Sequence, residues 1–175
     1  MSTQTIEIHI REVLTGEAQR LALNLAAYLT SQGMQFERGT GYWEDKRYWH
    51  IKYKNSYVCF ILVNGFGSVR HKNEPEGWII WSDDYDSDLF ANYPLDERTK
   101  EIAWDHVDIC GNCGGCGSHG KNKMIFGREF EKVCVTMFRF DNPTAEEVEC
   151  AKKLVELRKS DIETSESSVS KEDSQ

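Results

Sequence analysis

The spacing of apolar and polar residues predicts most of the secondary structure. Residues 6–10 read Ile-Glu-Ile-His-Ile, and this period of two is typical of a short strand. Apolar residues then recur every three or four positions, which predicts a helix that begins near Thr15 and ends near Gly33. Alternating or continuously apolar segments predict further strands at residues 34–38, 47–54, 57–63, 78–82 and 130–140.

The connections between these elements indicate an α+β fold. Only Asn55 and Ser56 separate two of the strands, so no crossover helix fits between them and they are expected to pair antiparallel. Further helices are predicted at residues 95–107 and after Asn142-Pro143, where Asn142 can cap the helix and Thr144 with Glu147 forms a capping-box pattern. We therefore expect a two-layer α+β domain in which about three helices pack on a mostly antiparallel sheet, with a Cys/Gly-rich metal loop.

Composition limits the domain boundaries and the location of the protein. Residues 1–159 are expected to form a single domain, and residues 160–175 a disordered, acidic and serine-rich tail. The net charge of −8 disfavours nucleic acid as a partner. Because the chain has neither a secretion signal nor an apolar run of about 18 residues, we expect a cytoplasmic protein with no membrane span and with reduced cysteines.

The segment HVDICGNCGGCGSHG, residues 106–120, is the strongest chemical signal in the chain. Cys110, Cys113 and Cys116 have C-x-x-C-x-x-C spacing, which lets several thiolates reach one ion. Zn²⁺ accepts four thiolate or imidazole ligands, so a fourth ligand is needed. We expect His106, held on the preceding helix, to supply it; the alternates are His119 and Cys134.

Other interpretations of this loop stay open. An iron–sulfur cluster uses similar spacing, although no Cys-Pro follows here. A mobile glycine loop with free thiols is the plain structural alternative. The third interpretation is a thiol-redox or metal-dependent enzyme. Three thiolates favour a structural metal, and the common catalytic motifs are missing from the sequence. An enzyme is therefore less expected.

Aromatic residues around the predicted strands suggest a binding surface. One face of the sheet must pack on helices, and aromatic side chains on the other face could line a site for a small ligand or a protein partner. The alternative is an ordinary core. The candidate ligand-binding residues are Trp43, Trp49, His50, Trp78 and Trp81.

Residues 104–158, together with YWHIKYKNSYVCFILVNG and WIIWSDD, resemble a family of small bacterial α+β proteins of the Firmicutes type. The resemblance covers most of the chain, and the Cys/Gly-rich loop is its most distinctive part. It implies a bacterial, cytoplasmic setting and brings no established activity. The sequence as a whole therefore predicts a small cytoplasmic zinc-binding module with a structural metal and an unidentified small-molecule or protein partner.

Overall fold

A computed structural model describes residues 5–40, 47–63, 77–82, 89–111 and 119–172, and side chains as far as residue 165. These residues form five helices and seven strands. The helices are α1 (Ile6–Val13), α2 (Gly16–Ser31), α3 (Leu89–Asn92), α4 (Glu97–Asp105) and α5 (Ala145–Glu172). The strands are β1 (Gln35–Arg38), β2 (Tyr48–Tyr53), β3 (Ser56–Leu62), β4 (Ile79–Ser82), β5 (Val107–Ile109), β6 (Lys121–Ile125) and β7 (Arg128–Asp141).

The seven strands make one antiparallel sheet, which confirms the predicted α+β class with an antiparallel sheet. Their order is β1-β2-β3-β4-β7-β5, and β6 pairs with β7 away from this path. The tight turn between β2 and β3 has positive φ at Lys54 (47°) and Asn55 (66°), as a type I′ hairpin requires. The helices exceed the expected three because α1 and α3 were not predicted as helices.

The main core lies between the helices and one face of the sheet. Trp49 and Ile51 of β2 belong to it, and they are 4% and 0% exposed. The alternate residue Tyr48 packs instead against a second cluster formed by Leu62, Ile79 and Trp81. Adjacent side chains of a strand point to opposite faces. The sheet therefore has one helix-covered face and one face that carries the second cluster.

The prediction of a strand at residues 6–10 is wrong, because this segment is part of α1. Ile6, His9 and Ile10 are buried, whereas Ile8 is 38% exposed. Positions separated by three and four residues share one face of a helix. In a strand, by contrast, Ile6, Ile8 and Ile10 would share a face. Burial of His9 and exposure of Ile8 thus follow the helical period.

The last helix begins with the predicted capping box. The backbone N–H of Thr144 donates to Glu147 Oε2 at 2.6 Å, and the N–H of Glu147 reaches Thr144 Oγ1 at 3.4 Å. Asn142, which was expected to cap the helix, has a different role. Its φ is 47°, and its side-chain Oδ1 accepts a hydrogen bond from Trp78 N–H at 2.9 Å.

Regular structure does not end at residue 159, where the disordered tail was expected to begin. Helix α5 continues to Glu172 without a break. Ile162 is 5% exposed, and Glu163 accepts a hydrogen bond from Tyr53 Oη at 2.6 Å. The polar composition of this segment did not indicate a helix. A single buried isoleucine and a few bonds to neighbouring elements are enough to dock a helix that is already nucleated.

Candidate functional site

The Cys/Gly-rich loop leaves the sheet after β5 and returns just before β6. At its exit, the N–H of Cys110 donates to the carbonyl oxygen of Lys132 on β7 at 2.7 Å. At its return, Gly120 has a φ of +76°, and a Cβ added there would lie 2.8 Å from Cys110 Cβ and 2.5 Å from the Lys132 oxygen. Only glycine fits this position. The two ends of the loop therefore meet over Lys132.

Strand β7 is irregular at the same place. Its register with β5 shifts by three residues between the pairs Val107↔Phe138 and Ile109↔Val133, so β7 bulges between Val133 and Phe138. Lys132 has a φ of 55°, and the register with β6 also shifts beside it. Bulges redirect side chains and occur often next to functional sites. Here the bulge determines the position of Cys134.

Cys134 is half-buried in this bulge and has polar neighbours. Thr136 Oγ1 lies 3.5 Å from its Sγ and 3.1 Å from Asp108 Oδ2. Burial raises the pKa of the Cys134 thiol, hydrogen bonds from Thr136 oppose this, and the neighbouring Asp108 and Cys110 raise the pKa further. Cys110 is thus a neighbour of Cys134 at the base of the loop. Thr136 and Asp108 were missed by the sequence reasoning, although Thr136 lies only two residues from a candidate cysteine.

His106, the expected fourth ligand, is engaged away from the loop. Helix α4 ends at Asp105, so the ring is not held on the helix. Its Nδ1 lies 3.0 Å from the carbonyl oxygen of Arg139, and its Nε2 lies 2.9 Å from Glu147 Oε1. Both ring nitrogens already have protein partners. The structure therefore does not support His106 as a metal ligand.

The described part of the chain holds no group of three or more His, Cys, Asp or Glu side chains arranged for a metal ion. Cys113 and Cys116 lie outside the described residues, so two of the three main candidates are not part of that result. His119 lies next to Gly120, where the loop returns to the sheet. Zinc, and the iron–sulfur alternative, stay predictions.

The predicted ligand-binding aromatics do not form one site. Trp43 lies outside the described residues. Trp49 and Trp78 are 4% and 1% exposed and belong to the helix-covered core. Trp49 Nε1 donates to His9 Nδ1 of α1 at 3.2 Å. These two indoles are enclosed and cannot line a surface site, because strand alternation places them on the covered side.

His50 and Trp81 lie on the other face of the sheet, where three further aromatics join them. The rings of Tyr48, Tyr57 and Phe60 approach His50 edge-on, with centroid distances of 5.0, 5.4 and 5.5 Å. We call these five residues the aromatic face. Burial lowers the pKa of His50, so the imidazole is neutral at neutral pH.

The register aligns part of the aromatic face in one row across the sheet. His50 pairs with Phe60, Phe60 with Trp81, and Trp81 with Arg139. The Arg139 guanidinium carbon lies 5.4 Å from the centroid of the Trp81 ring. The row therefore ends in a cation–π contact on β7.

Among the helices that the structure describes, none combines the length and apolar character that a membrane crossing needs.

Comparisons with known proteins found no match. The chain matches no family model, no curated protein and no solved structure.

Proposed function

We propose that this chain is a small cytoplasmic protein that binds one Zn²⁺ through Cys110, Cys113, Cys116 and Cys134. In this proposal the ion has a structural role and fastens the loop to β7. The observation that carries it is the closed base of the loop. Cys110 leaves β5 hydrogen-bonded to Lys132, two residues before Cys134 on the same strand.

Cys134 replaces His106 as the fourth ligand for geometric reasons. It lies in the bulge of β7 at the base of the loop, where Cys110 is close enough to raise the pKa of its thiol. Both ring nitrogens of His106, in contrast, are bonded to other groups. A ligand on β7 also ties the loop to the sheet, which four ligands within one short segment would not do.

The ligand set decides what the metal does. Four thiolates complete the tetrahedron that Zn²⁺ prefers and leave no open position for a water molecule. Such a site stabilises a fold and does not catalyse hydrolysis. A small-molecule or protein partner would meet the sheet at the aromatic face, because Trp49 and Trp78 are enclosed in the core.

Elemental analysis of freshly purified protein tests the proposal. We expect about one zinc per chain and a colourless solution. Cys113→Ser and Cys134→Ser should each lower the zinc content and the melting temperature. Cys150→Ser is the matched control: this cysteine is 2% exposed, and its Sγ lies 3.7 Å from the Thr99 carbonyl oxygen, which a serine hydroxyl can also contact.

The possible outcomes separate the interpretations of the loop. Zinc loss in Cys134→Ser but not in Cys150→Ser or His106→Gln supports the four-cysteine site. Zinc loss in His119→Gln with full zinc in Cys134→Ser would move the fourth ligand to His119 and refute our choice. A brown, iron-containing protein indicates a cluster. If the purified protein is metal-free and its melting temperature does not change when zinc is added, the metal site is refuted.

A further inference from the structure

The hairpin of β6 and β7 carries two cations on one face. Its register pairs Lys123 with Phe130 and Ile125 with Arg128. Residues that pair directly in antiparallel strands share a face, so these four side chains lie on the same side of the hairpin. Ile125 is 0% exposed, so this side meets the core. Lys123 and Arg128 occupy diagonal positions about 7–8 Å apart, which long side chains can bridge.

The side chain of Arg128 rests on two aromatic rings. Its guanidinium carbon lies 5.0 Å from the centroid of Phe130 and 5.7 Å from that of Trp104 on α4. Trp104 is held in place because its Nε1 donates to the carbonyl oxygen of Ile125 at 2.8 Å. Among the described residues Arg128 has no carboxylate or hydrogen-bond partner. The rings therefore position a guanidinium whose five N–H donors are available to a ligand.

Lys123 is the second cation of this face. It is half-buried, and burial lowers the pKa of its ammonium group. Burial disfavours the charged form because the group loses part of its hydration. An anion bound beside the ammonium would offset that cost. The position is thus one where a negative ligand is favourable.

The nearby carboxylates are placed away from Arg128. Glu129 and Glu131 alternate along β7 with the residues of this face, so their side chains point to the opposite side of the hairpin. On α4, Glu97 and Glu101 form ion pairs within the helix, at 2.8 and 3.8 Å. The described carboxylates therefore leave the charge of Arg128 uncompensated.

We propose that Arg128 and Lys123 form a binding site for a phosphate group, with Trp104 and Phe130 as the support of the guanidinium. A guanidinium can donate two parallel hydrogen bonds to one phosphate. A phosphate monoester carries about −1.5 to −2 charges at neutral pH, which two cations match, whereas a carboxylate carries one charge. The site shares no residue with the aromatic face or with the proposed zinc ligands.

NMR titration with inorganic phosphate tests the site. We expect the Trp104 indole N–H and the backbone amides of Lys123, Arg128 and Phe130 to shift, with half-saturation at about 1 mM, as about two charge-assisted hydrogen bonds would give. Potassium chloride at the same ionic strength is the control, because exposed charges respond to any salt. Equal shifts in chloride, or unmoved signals at about ten times that phosphate concentration, would overturn the proposal.

Two further probes define the ligand. Acetate carries one charge and should bind at least about tenfold more weakly than phosphate. Acetate that binds as tightly as phosphate would contradict the match of two cations to a dianion. Glycerol phosphate separates the two sources of the group. Binding of both phosphates supports a phosphate ester as the ligand, and binding of inorganic phosphate alone supports the site with the free ion as its ligand.

Charge-removing variants assign the binding to these two residues. Arg128→Gln and Lys123→Gln should each weaken phosphate binding about tenfold or more, because each removes a charge-assisted hydrogen bond. Arg11→Gln is the matched control, since it removes the same charge from an exposed arginine in the last turn of α1. It should bind phosphate almost as tightly as the wild-type protein. Equal weakening in Arg128→Gln and Arg11→Gln would reduce the effect to net charge and refute the site.

Arg128→Lys keeps the charge and removes the planar fork, so it tests the site even if the glutamine variant does not fold. We expect an affinity between those of the wild-type protein and Arg128→Gln. Full affinity in Arg128→Lys would contradict the two-bond contact. Circular dichroism checks that each variant is folded. Because no proposed zinc ligand is changed, the result stands whether or not the protein contains zinc.

Discussion

Ile162 provides a direct test of the packing of α5 beyond residue 159. Replacing it with alanine removes three carbon atoms from a side chain that is 5% exposed. At about 0.8 kcal/mol per buried carbon, the lost transfer free energy is about 2.4 kcal/mol. A residual cavity adds to this, so we expect Ile162→Ala to lower the free energy of unfolding by about 2–4 kcal/mol.

Ile8→Ala is the matched control, because it makes the same change in a helix at a side chain that is 38% exposed. Any gain in helix propensity is similar at both positions and amounts to a few tenths of a kcal/mol. Urea denaturation followed by circular dichroism gives both free energies, and Ile8→Ala should cost less than about 1 kcal/mol. Equal losses in the two variants would refute the docking of residues 160–165 and restore the expectation of a disordered tail.

Two further tests concern buried contacts. His9 is 1% exposed, and burial together with Arg38 and Arg47 lowers its pKa from 6.5. The unfolded chain thus binds a proton that the folded chain resists, so the free energy of unfolding should fall as the pH drops below about 6.5, and urea titrations of His9→Gln should show a smaller fall. In Gly77→Ala, the added carbon would lie 2.0 Å from Asn142 Oδ1, so we expect calorimetry to show a loss of about 1–3 kcal/mol. The double variant with Asn142→Ala should lose less than the sum of the single changes, and full additivity would contradict the clash.

The sequence pattern predicted the central strands of the sheet better than the peripheral elements. Strand β2 alternates because only one of its faces lies in the main core, whereas β3 and β4 read as continuously apolar because the second cluster also buries part of their other face, and both patterns are strong signals. The segment Ile6–Ile10 gave the opposite result, since residues spaced by four share a face in a helix as well as in a strand. A segment of five residues is too short to distinguish the helical period from the strand period. Strand β6, with two lysines and an asparagine in KNKMI, has too little apolar alternation to be recognised.

The candidate site depended on details that spacing cannot show. Whether His106 joined the loop depended on where α4 ended, and helix ends are uncertain by a residue or two from sequence. The bulge that determines the position of Cys134 arises from strand pairing between residues distant in the chain, which leaves no local pattern. The aromatic face was partly predictable, because alternation correctly separated Tyr48 and His50 from Trp49.

Strand β7 has a kinetic consequence for the whole molecule. The first four strands pair with their neighbours in sequence. The second edge of β4 pairs with β7, so Ile79 pairs with Asp141, roughly sixty positions later in the chain. Closing such a long loop costs entropy before any contact compensates for it, and folds rich in distant contacts acquire their native state slowly. In a nascent chain the early strands would therefore leave the edge of β4 unpaired until β7 has been synthesised, and during that interval this edge is available to the wrong partner.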